Sequence, residues 1–187
     1  AASKGLAFNS SANGFETSSA GSMTLIKTLT ASSSSTLSFV DGSSDVVLDS
    51  TYPVYMFKFI NIHPATDEAY LSFQGNVAGG SGYNETMTTT YFYARHDESG
   101  GNTALSYDTG SDLAQGTDFH KLSQGIGNGN DESASGTLTL FNPSSTTFVK
   151  HFISRVSTYE DANYIYDIYT AGYFNTTSAI DEIQFKM

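Results

Sequence analysis

The chain has 187 residues, no cysteine, and 19 acidic against 8 basic residues, which gives a formal net charge of -11. This length suits one domain with a sizeable core. Without cysteine, disulfides, thiolate metal sites and cysteine nucleophiles are excluded, and the acidic balance argues against binding to nucleic acid or to anionic membranes, since both depend on lysine and arginine.

Residues 1–22 are mostly small and polar, and their only large apolar side chains are those of Leu6, Phe8 and Phe15. Three such side chains cannot form a core, so the composition predicts an N-terminal arm or linker ahead of a domain at 23–187. Ordering the segment costs about 1–2 kcal/mol of backbone entropy per residue, which contacts must offset. The contacts come from the domain's own surface or from a neighbouring subunit, and we expect Leu6, Phe8 and Phe15 to be the anchors in a subunit contact. The alternative is that the Gly-Ser pair before Met23 marks a cloning junction.

From Met23 onward, short apolar runs alternate with clusters of Gly, Ser, Asn and Asp. In "TTTYFYARH" at 88–96, side chains alternate with a period of two, which is typical of strands. The best helical candidate is the segment 111–122, where Gly116 argues against a long helix. The predicted strands are Thr24–Leu29, Thr36–Val40, Val54–Ile62, Tyr70–Phe73, Thr86–Ala94, Thr137–Phe141, Phe148–Val156, Tyr164–Phe174 and Ile180–Phe185.

These runs predict an all-β domain of two packed antiparallel sheets, a jelly-roll or Greek-key sandwich with roughly eight to ten strands. Two stretches in it nearly repeat, "LFNPSSTTF" at 140–148 and "YFNTTSAI" at 173–180. Pro143 cannot donate to a ladder, and the Ser and Thr hydroxyls can bond nearby backbone. Both stretches therefore predict tight corners between strands, and their likeness suggests that the corners lie at the same end of the sandwich.

The sequence shows no motif for catalysis. "GGSGY" at 79–83 lacks the last glycine of a nucleophile elbow. None of the four histidines, His63, His96, His120 and His151, has the spacing of a metal pair, and we expect His63 and His96 to be turn or rim residues. We therefore expect no catalytic residue and no cofactor.

Two acidic stretches could supply oxygen ligands to calcium. They are "DGSSDVVLDS", with Asp41, Asp45 and Asp49, and "GNGNDES" at 127–133. Neither follows the regular spacing of a calcium loop, so we favour solvated turn acids and expect no metal.

The segment "TYEDANYIYDIYTAGYF" at 158–174 is the strongest candidate for surface binding. Alternation puts Tyr164 and Tyr166 on one face of a strand and Tyr169 on the other. Tyrosine offers rigid contact area with a polar tip, which suits sugar stacking or subunit contacts. The alternative is that these rings fill the core and its margin. The candidate binding residues are Tyr159, Tyr164, Tyr166 and Tyr169.

Four ordered stretches resemble a family of small structural proteins encoded by marine tailed bacteriophages, many of which infect cyanobacteria and their neighbours. They are "LIKTLTASSSSTLSFVDGSSDVVLDSTYPVYMFKFINIHPATD", "YNETMTTTYFYARHDE", "GTLTLFNPSSTTFVKHF" and "AGYFNTTSAIDEIQFKM". The resemblance covers 23–187 and leaves residues 1–22 outside the pattern. It implies virion structure rather than a set of catalytic residues, and one more strand beyond Met187.

The resemblance implies a non-enzymatic virion protein, exposed on the surface of an extracellular particle. One role is capsid decoration or cement, in which the chain binds copies of itself, as a trimer or lattice contact, and other virion proteins. The second role is a fibre or appendage adhesin that binds host polysaccharide. A polysaccharide depolymerase is the third. The arm favours decoration and the tyrosines favour adhesion, and we lean slightly to decoration.

Overall fold

The structure, a computed structural model, describes residues 4–8, 13–19 and 23–187. Within the N-terminal segment, strands β1 (Lys4–Phe8) and β2 (Phe15–Ser19) pair antiparallel, with Phe8 opposite Phe15. The side chains of Leu6, Phe8 and Phe15 lie outside the part of the chain that the structure describes. Their contact with a neighbouring subunit therefore stays a prediction.

Eleven further strands build the domain, and all of their pairings are antiparallel. In chain order they are β3 (Thr36–Val40), β4 (Val54–Ile62), β5 (Ser72–Val77), β6 (Met87–Asp97), β7 (Thr103–Tyr107), β8 (Ala114–Gly116), β9 (His120–Lys121), β10 (Ala134–Phe141), β11 (Lys150–Glu160), β12 (Tyr164–Phe174) and β13 (Ile180–Lys186).

These strands form two packed sheets, so the predicted all-β sandwich is confirmed. The seven-stranded sheet has the order β4-β10-β11-β12-β6-β7, with β8 also paired to β6. The four-stranded sheet has the order β3-β13-β5-β9. Strands β10, β11 and β12 are consecutive neighbours, whereas β4 and β6 reach their places by long connections. No helix among the described residues is long and apolar enough to cross a membrane.

The structure corrects several predicted elements. Thr24–Leu29, which was predicted to be a strand, lies outside both sheets. Ile26 packs on the core, but no strand pairs with the segment. Alternating residues do not make a strand unless a partner strand pairs with them. The helical candidate at 111–122 is wrong, because it contains the short strands β8 and β9. Strand β7 was also missed, since its five residues lie at a sheet edge where no face is fully buried.

The core lies between the sheets and is rich in phenylalanine. Phe73 of β5 contacts Phe152 of β11 edge to face, with ring centroids 4.9 Å apart. Gly172 of β12, opposite Phe152, makes room for this packing, because a Cβ there would lie 2.7 Å from the Phe152 ring. The other fully buried large side chains include Phe174, Met87, Leu122, Ile126, Leu138, Leu140 and Ile180.

The two near-repeated corners lie side by side, as their likeness suggested. Lys150 is fully buried, and its Nζ donates to the carbonyls of Phe148 (2.8 Å) and Thr176 (3.0 Å), one from each corner. Burial lowers the pKa of this ammonium group. Ser145 Oγ accepts the N–H groups of Thr147 and Phe148, which is the predicted local hydroxyl bonding.

Candidate binding surfaces

The outer face of the seven-stranded sheet, the face turned away from the four-stranded sheet, presents many large apolar side chains among polar ones. Strand β11 shows the origin of this face, because its residues alternate between buried and exposed from Lys150 to Thr158. Seven large apolar side chains occupy exposed positions on the regularly paired part of the outer face: Val54, Met56, Phe92, Leu105, Tyr107, Ile153 and Ile165. An exposed apolar surface of this extent marks an interaction site.

An arginine, a carboxylate and two rings occupy the centre of the outer face, and we call them the Arg155 cluster. Phe92 of β6 and Tyr169 of β12 are opposite one another and stack, with centroids 5.1 Å apart and planes 4° apart. Arg155 lies with its guanidinium carbon 5.0 Å from the centre of the Tyr169 ring. Its Nε and Nη2 donate to the two carboxylate oxygens of Asp167, at 2.9 and 2.8 Å. This ion pair lowers the pKa of Asp167 and raises that of Arg155.

A second arginine and three tyrosines form the Arg95 cluster on the inner face of the same sheet. Its members are Tyr93 and Arg95 of β6 with Tyr164 and Tyr166 of β12, and Arg95 is opposite Tyr166. Tyr166 belongs to a small hydrophobic cluster that contains no residue of the four-stranded sheet. The four-stranded sheet therefore does not pack on this end of the inner face, where Tyr166 is nevertheless buried and Tyr93 and Tyr164 are half-buried.

Two turns fix the strands that carry the Arg95 cluster. Asn163 has a left-handed backbone (φ 63°), which asparagine tolerates, and it closes the turn between β11 and β12. Asp97 ends β6, where its carboxylate accepts bonds from the Ser99 hydroxyl (2.6 Å) and from the backbone and side chain of Asn102 (2.9 and 3.0 Å). These donors lower the pKa of Asp97, because they favour the ionised form.

Arg95 lies over the rings of its cluster. Its guanidinium carbon is 4.8 Å from the centre of the Tyr164 ring and 5.9 Å from that of Tyr166. Its Nη1 donates to the Tyr166 hydroxyl at 3.0 Å, which raises the pKa of Arg95. Tyr93 meets Tyr166 edge to face at 5.1 Å. These are cation–π and aromatic contacts in which the ring faces support the cation.

Carboxylates surround the Arg95 cluster. Burial raises the pKa of Glu160; the charge of Asp161 raises it further and that of Arg95 lowers it. Burial also raises the pKa of the nearby Tyr70 hydroxyl, as do the charges of Glu68, Glu160, Asp108 and Asp161. The cluster thus combines one cation with an acidic margin.

The structure brings together two of the four predicted binding tyrosines. Tyr164 and Tyr166 meet in the Arg95 cluster, with ring centroids 6.1 Å apart. Tyr169 lies on the outer face, and Tyr159 lies on that face near the β11–β12 turn, where its hydroxyl donates to Glu98 at 2.9 Å. The sequence analysis missed Tyr93, Arg95, Phe92, Arg155 and Asp167. The alternation in "TYFYARH" indicates which residues of β6 share a face. No local sequence feature indicates that β6 pairs with β12.

The four histidines lie in three different settings. His63 is exposed and its Nδ1 lies 2.7 Å from the carbonyl of Glu132. His96 and His151 are exposed on the outer face. His120 is fully buried between the sheets, 3.3 Å from the Thr89 hydroxyl, and desolvation lowers its pKa to about 4.

The acidic stretches mainly bond nearby backbone. Asp41 accepts the N–H of Leu48 at 2.8 Å, Asp49 accepts that of Thr51 at 2.7 Å, and Glu132 accepts that of Gly129. Within the described residues, no group of three or more His, Asp or Glu side chains is arranged to hold a metal ion.

No protein-family model, curated protein or solved structure matches this chain.

Proposed function

We propose that this chain is a non-enzymatic structural protein on the surface of a bacteriophage particle, where it decorates the capsid. In this proposal the outer face of the seven-stranded sheet binds a neighbouring virion protein. The observation that carries the proposal is the set of exposed apolar side chains on that one face. The assignment to a bacteriophage particle rests on the family resemblance.

The charge distribution supports docking through the outer face. Among the described residues, the charged side chains that its paired strands turn to the outer face are those of Lys58, Arg155 and Asp167, and the last two neutralise one another. The chain as a whole has a net charge of -11, so other surfaces repel an acidic neighbour more strongly. Each large side chain of this face, if fully buried, contributes about 1.5–3 kcal/mol to association.

Contacts between copies complete the proposal. Strands β4 and β7 end one sheet, and β3 and β9 end the other, so each sheet has edges that need a cover. Neighbouring copies, as trimers or in a lattice, provide that cover, with Leu6, Phe8 and Phe15 of the N-terminal segment as anchors.

The test is to locate and count the chain on particles that carry a substitution in the outer face. Ile153→Ser removes a side chain that is 54% exposed on β11, and Phe148→Ser is a matched control, 69% exposed but ahead of that strand. We expect labelled antibody to find many copies over the head for the unchanged chain and for Phe148→Ser. Ile153→Ser should lower the copy number. Equal copy numbers for both variants would contradict docking through this face.

An appendage adhesin that binds host polysaccharide is the second candidate function, and the Arg95 cluster favours it. A few copies at the tail, rather than many over the head, would select this role. Release of new sugar ends from host polysaccharide would contradict the non-enzymatic proposal and favour a depolymerase.

A further inference from the structure

The guanidinium of Arg95 has unused hydrogen-bonding capacity. It carries five N–H donors in a fixed plane, and the described residues offer an acceptor, the Tyr166 hydroxyl, to only one of them. The ion pair found among these residues belongs to Arg155, so Arg95 has no carboxylate partner there. A partly exposed guanidinium that lies over two rings and bonds a hydroxyl is already ordered, and binding a ligand costs it little further entropy.

We propose that the Arg95 cluster binds a neutral saccharide. Tyr164 and Tyr93, both half-buried, offer ring surface to the apolar face of a sugar. Arg95 donates to sugar hydroxyls, and Glu160 accepts from them. Pairing aromatic surface with a few convergent polar groups is the usual composition of a small-ligand site.

The charges around the cluster select a neutral ligand. A sugar hydroxyl both donates and accepts hydrogen bonds. It can therefore accept from a cation and donate to a carboxylate that lie near one another. Glu160 is opposite Tyr164 in the β11–β12 pair, and with its neighbour Asp161 it places negative charge beside the cluster, which disfavours polyanions. A cationic amino sugar stacked on Tyr164 would contact the guanidinium of Arg95, whose carbon lies 4.8 Å from the centre of that ring, so Arg95 disfavours it at the rings.

The surface beside Tyr164 gives a longer saccharide room to extend. An open depression of about 300 Å³ lies at the turns that follow β6 and β11. It is lined by Asp97, Glu98, Ser99, Ala162, Asn163 and Tyr164. Tyr164 therefore borders both the Arg95 cluster and this depression, so the ligand is an oligosaccharide chain rather than one sugar.

Titration calorimetry of the full chain in solution tests the proposal without reference to any particle. The probes are hexasaccharides of glucose, mannose and N-acetylglucosamine, with oligogalacturonate as the anionic probe and a chitosan hexamer as the cationic probe. We expect at least one neutral hexasaccharide to bind and neither charged probe to bind better. No binding to any neutral probe, or tighter binding of a charged one, overturns the proposal.

Matched variants on the two faces locate the site. Tyr164→Ala and Arg95→Gln should each weaken saccharide binding by about tenfold, the loss expected for one ring or one cation–π contact. Tyr164→Phe keeps the ring and should bind within about threefold, which separates loss of contact from loss of folding. Tyr169→Ala and Arg155→Gln alter the outer face and should leave binding unchanged. Equal losses for the two sets would place the site elsewhere.

Discussion

The Arg155 cluster and the Arg95 cluster use the same residue types on opposite faces of one sheet. In the first, Arg155 lies against Tyr169 and is bound through two nitrogens to Asp167. In the second, Arg95 lies against Tyr164 and Tyr166 and, within the described part of the chain, makes one hydrogen bond, to a hydroxyl. The difference is whether the chain itself satisfies the cation.

That difference assigns the two faces different roles. A guanidinium with its own carboxylate has little left to offer a ligand, so the outer face attracts a partner mainly through apolar area. A guanidinium with unused donors beside exposed rings can bind hydroxyl groups. Composition alone cannot distinguish the clusters, because both consist of arginine, aromatic rings and nearby acids.

The largest expected effect separates Tyr166, the buried ring of the Arg95 cluster, from Tyr169, a half-buried ring of the Arg155 cluster. Tyr166 is 5% exposed and contacts Tyr93, Tyr164 and Arg95. Tyr166→Ala should therefore lower the free energy of unfolding by about 3–5 kcal/mol. Tyr169→Ala should cost under about 1.5 kcal/mol, because its partner Phe92 is itself 40% exposed. Urea unfolding of the two variants measures the difference, and equal losses would contradict the assigned burial.

The change in the free energy of unfolding at acidic pH should distinguish His120, which is buried between the sheets, from the histidines on the outer face. His120 has a folded-state pKa of about 4, against 6.5 for the ordinary group, because burial disfavours its charged form. The unfolded chain thus takes up a proton at higher pH than the folded chain. Stability is full above pH 6.5 and is lost as the pH falls toward 4, by about 2 kcal/mol between pH 7 and pH 5.

Two variants isolate this contribution of His120. His120→Phe should flatten the fall in the free energy of unfolding between pH 7 and pH 5, whatever its effect at pH 7. His151→Gln, which removes an exposed histidine of the outer face, should keep the fall. Chemical denaturation at both pH values decides, and an unchanged slope in His120→Phe would show that another group carries the pH dependence.

The smallest effect concerns the ion pair of the Arg155 cluster. Its two side chains are 63% and 36% exposed, so water and salt screen their attraction. A double-mutant cycle of Arg155→Ala and Asp167→Ala should give a coupling free energy under about 1 kcal/mol, which weakens further in high salt. A coupling of several kcal/mol would show that the pair stabilises the fold rather than only neutralising the outer face.

The fold could be predicted where strands are long and alternate regularly. Val54–Ile62 and Tyr164–Phe174 have the predicted bounds, because eight or more residues of period two leave little choice of structure. Strands β8 and β9 have three and two residues and exist because a neighbouring strand pairs with them. Thr24–Leu29 is the opposite case, since it has the pattern of a strand without a partner.

The candidate site was only half predictable. Alternation gave the faces of Tyr164, Tyr166 and Tyr169, which follow from a local period. Arg95 and Tyr93 join Tyr166 only because β6 pairs with β12, about seventy residues later in the chain, and that pairing is a tertiary event. The register between paired strands also decides whether an arginine lies beside a carboxylate. The sequence alone therefore could not show that Arg155 has a carboxylate partner and that Arg95 lacks one among the described residues.

Cysteine labelling on intact particles tests most directly whether the outer face is the docked face. The chain has no cysteine of its own, so single substitutions report on one position each. Leu105→Cys places a thiol on the outer face, where Leu105 is 79% exposed, and Ala162→Cys places one at an exposed position beside Tyr164. In free protein both thiols should react with a maleimide at similar rates. On particles the account predicts protection at position 105 and full reactivity at position 162, whereas equal labelling of both positions on particles would contradict it.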